Sequence, residues 1–295
     1  MTRVSVNTIA LLLFYCGAAI SAPVELSPGV AESLLLSRPA PVYAELAQRA
    51  RVQGTVKLLI LVSENGLVTD VKLLSGHPLL NDGAVNSVRQ SKYRPYSQKG
   101  AAMPFSAEVD ITFLPGVSEK DYERDLKLAG PYFEQEVKCR DLVNESKWRE
   151  AEAVCVANLG MVDKLGRHRA LVKVRAYQIA ASVMLSQDRY KEALNYLNRA
   201  LGIGKADLND DEVALGEVLV TLGFTYSKMG KFGNARKQFA KGEETLQLAY
   251  DKNSFFRARC LPQLKKALEY HILAAEADGA AKEAIALKNR LASLP

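Results

Sequence analysis

Histidine, tryptophan and cysteine are scarce in this sequence. Its 295 residues include three histidines, one tryptophan and four cysteines. His77, His168 and His271 lack the spacing of a metal-binding motif, and no HExxH, CxxC or GxSxG motif or phosphate-binding glycine loop occurs. We therefore expect that the protein is not an enzyme and that it carries no cofactor and no metal ion.

Long apolar runs are also missing, apart from a short one near the N-terminus. This run extends from about Ile9 to Ile20, follows Arg3, and is followed by small residues before Pro23. A membrane span needs roughly 20 apolar residues, whereas this layout is typical of a secretory signal peptide. We predict a signal peptide over residues 1–22 and a periplasmic protein. The alternative is an uncleaved segment that anchors the chain in the inner membrane.

The excess of positive charge is small. The chain has 39 Lys and Arg residues against 33 Asp and Glu residues, a net charge of +6. Such a balance is compatible with nucleic acid binding, but export from the cytoplasm argues against it. We expect protein or peptide partners in the cell envelope, no nucleic acid, and membrane contact only through an uncleaved signal peptide. The sequence leaves the oligomeric state open.

An aromatic residue followed three positions later by alanine recurs every 42 residues. The three pairs are Trp148 and Ala151, Tyr190 and Ala193, and Phe232 and Ala235. Alanine lets two antiparallel helices approach closely, and the ring fills the space at the turn between them. The pattern resembles the tetratricopeptide repeat (TPR), whose usual period is about 34 residues, with helices lengthened by about a turn. It predicts an all-α, TPR-like array over residues 119–295.

The TPR resemblance implies a protein-docking function. In such arrays the first helix of each hairpin lines the concave face. The candidate partner-binding residues on that face are Arg175, Gln178, Ser182, Glu217 and Lys228.

Two cysteines flank the predicted turn of the first hairpin. Folding the chain about this turn brings Cys139 and Cys155 to the same level on facing helices. In an oxidising compartment a disulfide is one interpretation. The other is that both are buried thiols that pack as small apolar side chains.

The region before the array has the patterns of strands. β-rich runs at 55–63 and 67–74 flank Asn65 and Gly66, a strong signal for a two-residue hairpin turn. In that register Val62 faces Thr69, Ile60 faces Val71 and Leu58 faces Leu73. Helices are predicted near 43–50 and from Pro78, and strict alternation predicts a third strand over Phe105–Phe113. The order helix, strand, strand, helix, strand predicts a small α+β domain.

Residues 38–115 resemble the C-terminal domain of TonB, the periplasmic energy transducer of Gram-negative bacteria. The resemblance rests on short matches in the right order: Pro41, Tyr43, Gly54, Val56, Gly66, Val68, the run SGHPLL at 75–80, Ala84, YRP at 93–95, Gly100 and Phe113. The chain is thus divided into a signal peptide (1–22), a short linker (23–37), the TonB-like domain (38–115) and the TPR-like array (119–295).

The TonB resemblance implies that an extended peptide, the TonB box of an outer-membrane transporter, adds as a strand to the last strand of the domain. Here the candidate partner-binding residues are Phe105, Ser106, Glu108, Val109, Asp110, Thr112 and Phe113. The alternative is that the charges on this edge only prevent aggregation. The chain departs from the family in its short linker and in an N-terminal segment without histidine, which argues against transmission of force from the inner membrane.

Two functions follow from these patterns. The first is a periplasmic adaptor, in which the TonB-like domain captures a peptide of an envelope protein, with a role in TonB-dependent transport, and the repeats dock a second protein. The second is a structural scaffold of the envelope, in which the TonB-like domain self-associates or packs on the repeats. The two functions differ in whether the TonB-like domain binds an extended peptide.

Overall fold

A computed structural model describes residues 22–208, 213–252 and 254–295. The predicted signal peptide lies outside the described residues, apart from Ala22. Within the described ranges, none of the helices combines the length and the apolar character required to cross a membrane.

The N-terminal domain mixes short helices and strands. In chain order its elements are β1 (Val24–Leu26), α1 (Pro28–Leu34), β2 (Leu35–Ser37), α2 (Glu45–Arg49), β3 (Gly54–Val62), β4 (Val68–Ser75), α3 (Pro78–Arg89), β5 (Lys92–Tyr93), β6 (Tyr96–Gln98), β7 (Ala101–Met103) and β8 (Phe105–Phe113). The predicted order of helix, strand, strand, helix and strand corresponds to α2, β3, β4, α3 and β8. The predicted fold class of this domain is confirmed.

The main sheet has the strand order β1-β8-β3-β4. Alternate residues of β3, among them Leu58 and Ile60, are buried with β8 and α3, because successive side chains of a strand point to opposite faces. The register confirms the predicted pairs of Ile60 with Val71 and of Leu58 with Leu73. The predicted pair of Val62 with Thr69 is wrong, since a bulge after Leu61 pairs Val62 with Val68.

The turn between β3 and β4 has three residues rather than two. The Ser63 N–H donates to the Leu67 carbonyl, which closes a loop of Glu64, Asn65 and Gly66. Of the loop residues, only Gly66 has a positive φ, at 77°. A three-residue loop requires one left-handed residue, whereas the predicted two-residue turn requires two.

Replacing Gly66 by alanine is expected to cost about 2 kcal/mol of stability. The left-handed backbone disfavours a side chain by about 1 kcal/mol, and a Cβ there would lie 2.0 Å from the Tyr93 carbonyl oxygen. Gly100→Ala is the matched control, because Gly100 has φ 83° but no heavy atom within 4 Å of its Cβ position. Urea unfolding of both variants measures the difference, and equal losses would show that contact with Tyr93 is unimportant.

The helical array begins where the last strand of the sheet has ended. A capping box of Ser118 and Asp121 starts its first helix. The helices are α4 (Glu119–Asn144), α5 (Trp148–Val162), α6 (Ala170–Leu185), α7 (Tyr190–Asp207), α8 (Val213–Lys228), α9 (Phe232–Lys252), α10 (Ser254–Ala277) and α11 (Ala281–Ala292), with a 3₁₀ turn at Arg167–Arg169. Consecutive helices pack in pairs. The predicted all-α array is confirmed.

The 42-residue repeat marks equivalent packing positions in three hairpins. Each of its alanines is completely buried at the start of a second helix: Ala151 in α5, Ala193 in α7 and Ala235 in α9. The preceding aromatic rings are only half-buried. The buried alanine therefore lets the two helices of each pair approach closely, and the half-buried aromatic ring packs at the edge of their contact.

The predicted short linker, residues 23–37, contains β1, α1 and β2. Leu26, Ala31 and Leu35 are buried in the core of the N-terminal domain, and α1 packs against α4 of the array. A segment with three buried apolar residues gains more by packing than by remaining a solvated spacer. The segment thus joins the two domains.

Candidate functional site

A cavity of about 470 Å³ lies between β8 and the concave side of the array. One wall comes from the sheet, a second from α6 and α8, and a third from α1 and α4. The two surfaces that the sequence predicts as separate partner-binding sites therefore face one another across a shared space. The described chain holds no group of His, Cys, Asp and Glu arranged for a metal ion.

The array wall contains four of the five predicted concave-face residues. Arg175, Gln178 and Ser182 recur at three- and four-residue spacing and so share one face of α6. Glu217 of α8 lies beside them. Lys228 does not line this cavity; it is exposed, and its Nζ lies 5.3 Å from the centre of the Phe224 ring.

The predicted partner-binding residues of β8 point alternately to the two faces of the sheet. Phe105, Val109 and Phe113 are buried in the domain core, and Val109 also borders the cavity between its two neighbours. Glu108 and Asp110 point to the opposite side and line the cavity.

The remaining two predicted residues of β8 lie away from the cavity lining. Thr112 is buried, and its hydroxyl lies 2.9 Å from that of Thr55. Ser106 is paired with β3 on one side and with Glu25 of β1 on the other. Of the polar residues predicted along the strand, Glu108 and Asp110 are therefore those that line the cavity.

The outer edge of β8 is already partly paired. β1 runs parallel to it, with Val24, Glu25 and Leu26 opposite Phe105, Ser106 and Ala107. The Val24 N–H donates to the Pro104 carbonyl at 2.9 Å. The chain's own N-terminal strand thus occupies the beginning of the edge at which the TonB resemblance implies peptide capture.

Opposite charges join the two walls. The Asp110 carboxylate lies 3.5 Å from Lys57 of β3 and 3.5 Å from Arg175 of α6, and Glu108 pairs with Arg259 of α10. Burial raises the pKa of Asp110, but Lys57, Arg175 and Arg259 outweigh it and hold the pKa below its usual value. Asp110 is therefore a carboxylate at neutral pH, matched to the basic wall of the array.

A buried ion cluster lies at the side of the cavity. Glu32 of α1 accepts from Arg38 at 2.8 Å and from Arg169 at 3.2 Å, and all three side chains are almost fully enclosed. Burial raises the pKa of Glu32, but Arg38 and Arg169 lower it by more. Sequence reasoning missed Glu32 because it lies in the predicted linker, without a motif around it.

The cavity also has an apolar side, formed by Tyr132 and Phe133 of α4 and Ile179 of α6. Beside it, Glu136 pairs with Arg140 through one carboxylate oxygen, while its Oε2 is buried without a hydrogen-bond partner in the described chain. A space with an apolar side, paired charges and a spare acceptor suits a peptide, which brings side chains and backbone N–H groups.

The first hairpin of the array is cross-linked beside this cavity. Cys139 of α4 and Cys155 of α5 form a disulfide, with S–S 2.08 Å and Cα–Cα 5.2 Å. The third cysteine of the described chain, Cys260, is buried in α10.

Comparison with known families assigns one segment in each domain. Residues 39–115 match the family of the Gram-negative bacterial TonB protein C-terminal domain, and residues 174–247 match the tetratricopeptide repeat family. The chain thus joins a TonB C-terminal domain to TPR repeats, as both resemblances imply. These two domains indicate a protein-binding adaptor. No curated protein matches the sequence.

Solved structures with similar folds include TPR-like repeats of a putative kinesin light chain from Podosopora anserina, at 14% identity and a TM-score of 0.44 over 57% of this chain and 74% of that one. The apo form of RapI matches at 14% identity and a TM-score of 0.45, over 58% of this chain and 65% of RapI. MamA matches at 20% identity and a TM-score of 0.40, over 58% of this chain and 82% of MamA.

Proposed function

We propose that the protein is a periplasmic adaptor that binds an extended segment of an envelope protein in the cavity between β8 and the concave face of the array. The observation that carries the proposal is the convergence of Glu108 and Asp110 with Arg175, Gln178 and Ser182 around one space of about 470 Å³. The proposal assigns no catalysis to the protein.

The bound segment would lie along β8 and contact both walls. Backbone groups of an added strand provide affinity, and side chains at alternate positions provide selectivity. The TonB resemblance favours outer-membrane transporter segments as partners, with a role in TonB-dependent transport. Because β1 covers Phe105–Ala107, a segment that used the whole edge would displace β1.

A structural scaffold is the second candidate, and two observations favour it. β1 already pairs with β8, and the ion pairs of Asp110 and Glu108 with array arginines hold the TonB-like domain against the repeats. In a scaffold these contacts would be permanent, and the cavity would bind no peptide.

The test measures binding of fluorescent peptides from outer-membrane transporter plugs by anisotropy. Ser182→Arg is expected to weaken binding at least tenfold, because the new side chain would fill the cavity. Among the described residues, the Ser182 hydroxyl donates to the Gln178 carbonyl of its own helix, so the substitution leaves the ion pairs between the domains in place. Val24→Pro removes the N–H that donates to Pro104 and is expected to strengthen binding.

Ser186→Arg is the matched control, because Ser186 is exposed at the C-terminal end of the same helix and does not line the cavity. We expect its affinity to stay within about twofold of wild type. Equal losses for the two arginine variants would place the site outside the cavity. No peptide binding by either wild type or Val24→Pro would leave the scaffold as the function.

A further inference from the structure

The second edge of the main sheet is formed by β4. Within the described part of the chain, β3 is the only strand paired with β4, and Lys92 forms a single bridge to Leu67 just before β4 begins. Thr69, Asp70, Lys72 and Leu73 are exposed, with Leu73 42% accessible. An exposed edge strand favours pairing with another strand. The Val71 N–H is bonded to the Asp70 carboxylate at 2.9 Å, and a paired strand would replace this bond.

The two faces of β4 differ in character. Val71 and Leu73 lie opposite Ile60 and Leu58, so they belong to the helix-covered face of the sheet. Asp70 and Lys72 lie opposite Leu61 and Leu59 on the other face. The strand therefore has an apolar face that α3 covers incompletely, and two opposite charges on the other face.

We propose that β4 is a dimerisation edge, at which two copies of this chain pair their β4 strands antiparallel about Val71. A two-fold axis perpendicular to the sheet would make one continuous sheet, with the helices of both copies on the same face. This inference is independent of the proposed peptide site, because β4 and β8 lie on opposite sides of β3.

Charge selects the register. For the helices of both copies to lie on the same face of the joined sheet, odd-numbered residues of one β4 must pair with odd-numbered residues of the other. Centring the pair on Val71 places Asp70 of each copy opposite Lys72 of the other, which gives two attractive cross-strand pairs. A shift by one residue in either direction centres the pair on Asp70 or on Lys72 and sets like charges against one another.

The same register extends the apolar face. Val71 would meet Val71 of the second copy, so the half-buried side chain of Val71 is covered at the two-fold axis. Apolar and β-branched neighbours across strands stabilise a sheet pair. A second copy thus pairs the charges of this edge and covers its apolar face together.

Analytical ultracentrifugation of the purified protein tests the proposal through charge reversal. Wild type is expected to show a concentration-dependent dimer. Asp70→Lys sets lysine against lysine and is expected to weaken dimerisation about tenfold or more, and Lys72→Asp should do the same with two acids. The double variant Asp70→Lys/Lys72→Asp restores both pairs and is expected to restore the dimer.

Glu244→Lys is the control for net charge, because Glu244 is exposed on α9, away from the sheet. It should leave the dimer unchanged. Cysteine cross-linking tests the register: Val71→Cys should give a disulfide-linked dimer under mild oxidation, whereas Leu73→Cys should not, since the two Leu73 positions would lie on opposite sides of the two-fold axis, away from one another. A monomeric wild type, a dimer insensitive to Asp70→Lys, or a double variant that stays monomeric would overturn the proposal.

Discussion

Glu32→Gln is expected to destabilise the protein by about 3 to 5 kcal/mol. Glu32 is the shared partner of Arg38 and Arg169, and the side chains of these two arginines are only 7% and 12% exposed. Glutamine keeps the shape of the side chain but leaves two enclosed guanidinium groups without a counter-charge, and breaking a buried pair in this way costs that much. Urea unfolding followed by circular dichroism measures the loss.

Glu134→Gln is the matched control for this substitution. Glu134 also pairs with an arginine, Arg94, but both side chains are about half exposed. Exposed pairs contribute about 0 to 1 kcal/mol, so the control should remain close to wild type. A Glu32→Gln variant as stable as this control would show that the ion cluster does not hold α1 between the domains.

The Glu32 cluster also predicts that the stability of the folded protein depends on pH. The pKa of Glu32 is lower in the folded than in the unfolded chain. Ionised Glu32 therefore stabilises the fold at a pH above its pKa in the unfolded chain, and this stabilisation disappears as the pH falls through its pKa in the folded chain. Wild type should therefore lose stability below about pH 4, whereas this part of the pH dependence should be absent from Glu32→Gln. If the free energy of unfolding of wild type and of Glu32→Gln changed equally with pH, Glu32 would not be the source of this loss.

Removing the disulfide with Cys139→Ala and Cys155→Ala together is expected to cost about 3 kcal/mol. The cross-link spans 16 residues, and a loop of this length restricts the unfolded chain by roughly that free energy. Replacing both cysteines leaves no new reactive thiol in the hairpin. Thermal unfolding, with and without reductant, gives the effect.

Reductant serves as the internal control. It should lower the melting temperature of wild type towards that of the double variant and leave the double variant unchanged. Thiol titration of denatured, unreduced protein that has lost residues 1–22 should detect one thiol, that of Cys260. Three thiols would end the disulfide assignment and, with it, one argument for the oxidising periplasm that we propose.

Much of the fold could be predicted from local patterns. Strict alternation over Phe105–Phe113 predicts β8, and the apolar spacing after Pro78 predicts α3. The 42-residue repeat identifies the second helices of three hairpins by their alanines. These features depend on the period of side chains along a single helix or strand, which is written in consecutive residues.

The errors of the sequence prediction have a common cause. Val62 pairs with Val68 because of a bulge, and the segment 23–37 packs between the domains although it has the length of a linker. β1 has only three residues, too few for an alternating pattern, and its partner Phe105–Ala107 is about 80 residues away. Such contacts depend on which surfaces meet after folding, and neither periodicity nor composition records that.

The sequence by itself determined the two domains, their order along the chain and the residue types of the two predicted binding faces, because each follows from local periodicity and turn chemistry. The tertiary structure alone decided that these faces meet, that β1 covers part of the edge of β8 and that Glu32 neutralises arginines from both domains. The physical reason is that burial, desolvation and charge pairing act between residues far apart in the chain, and their partners are defined only when the two domains pack.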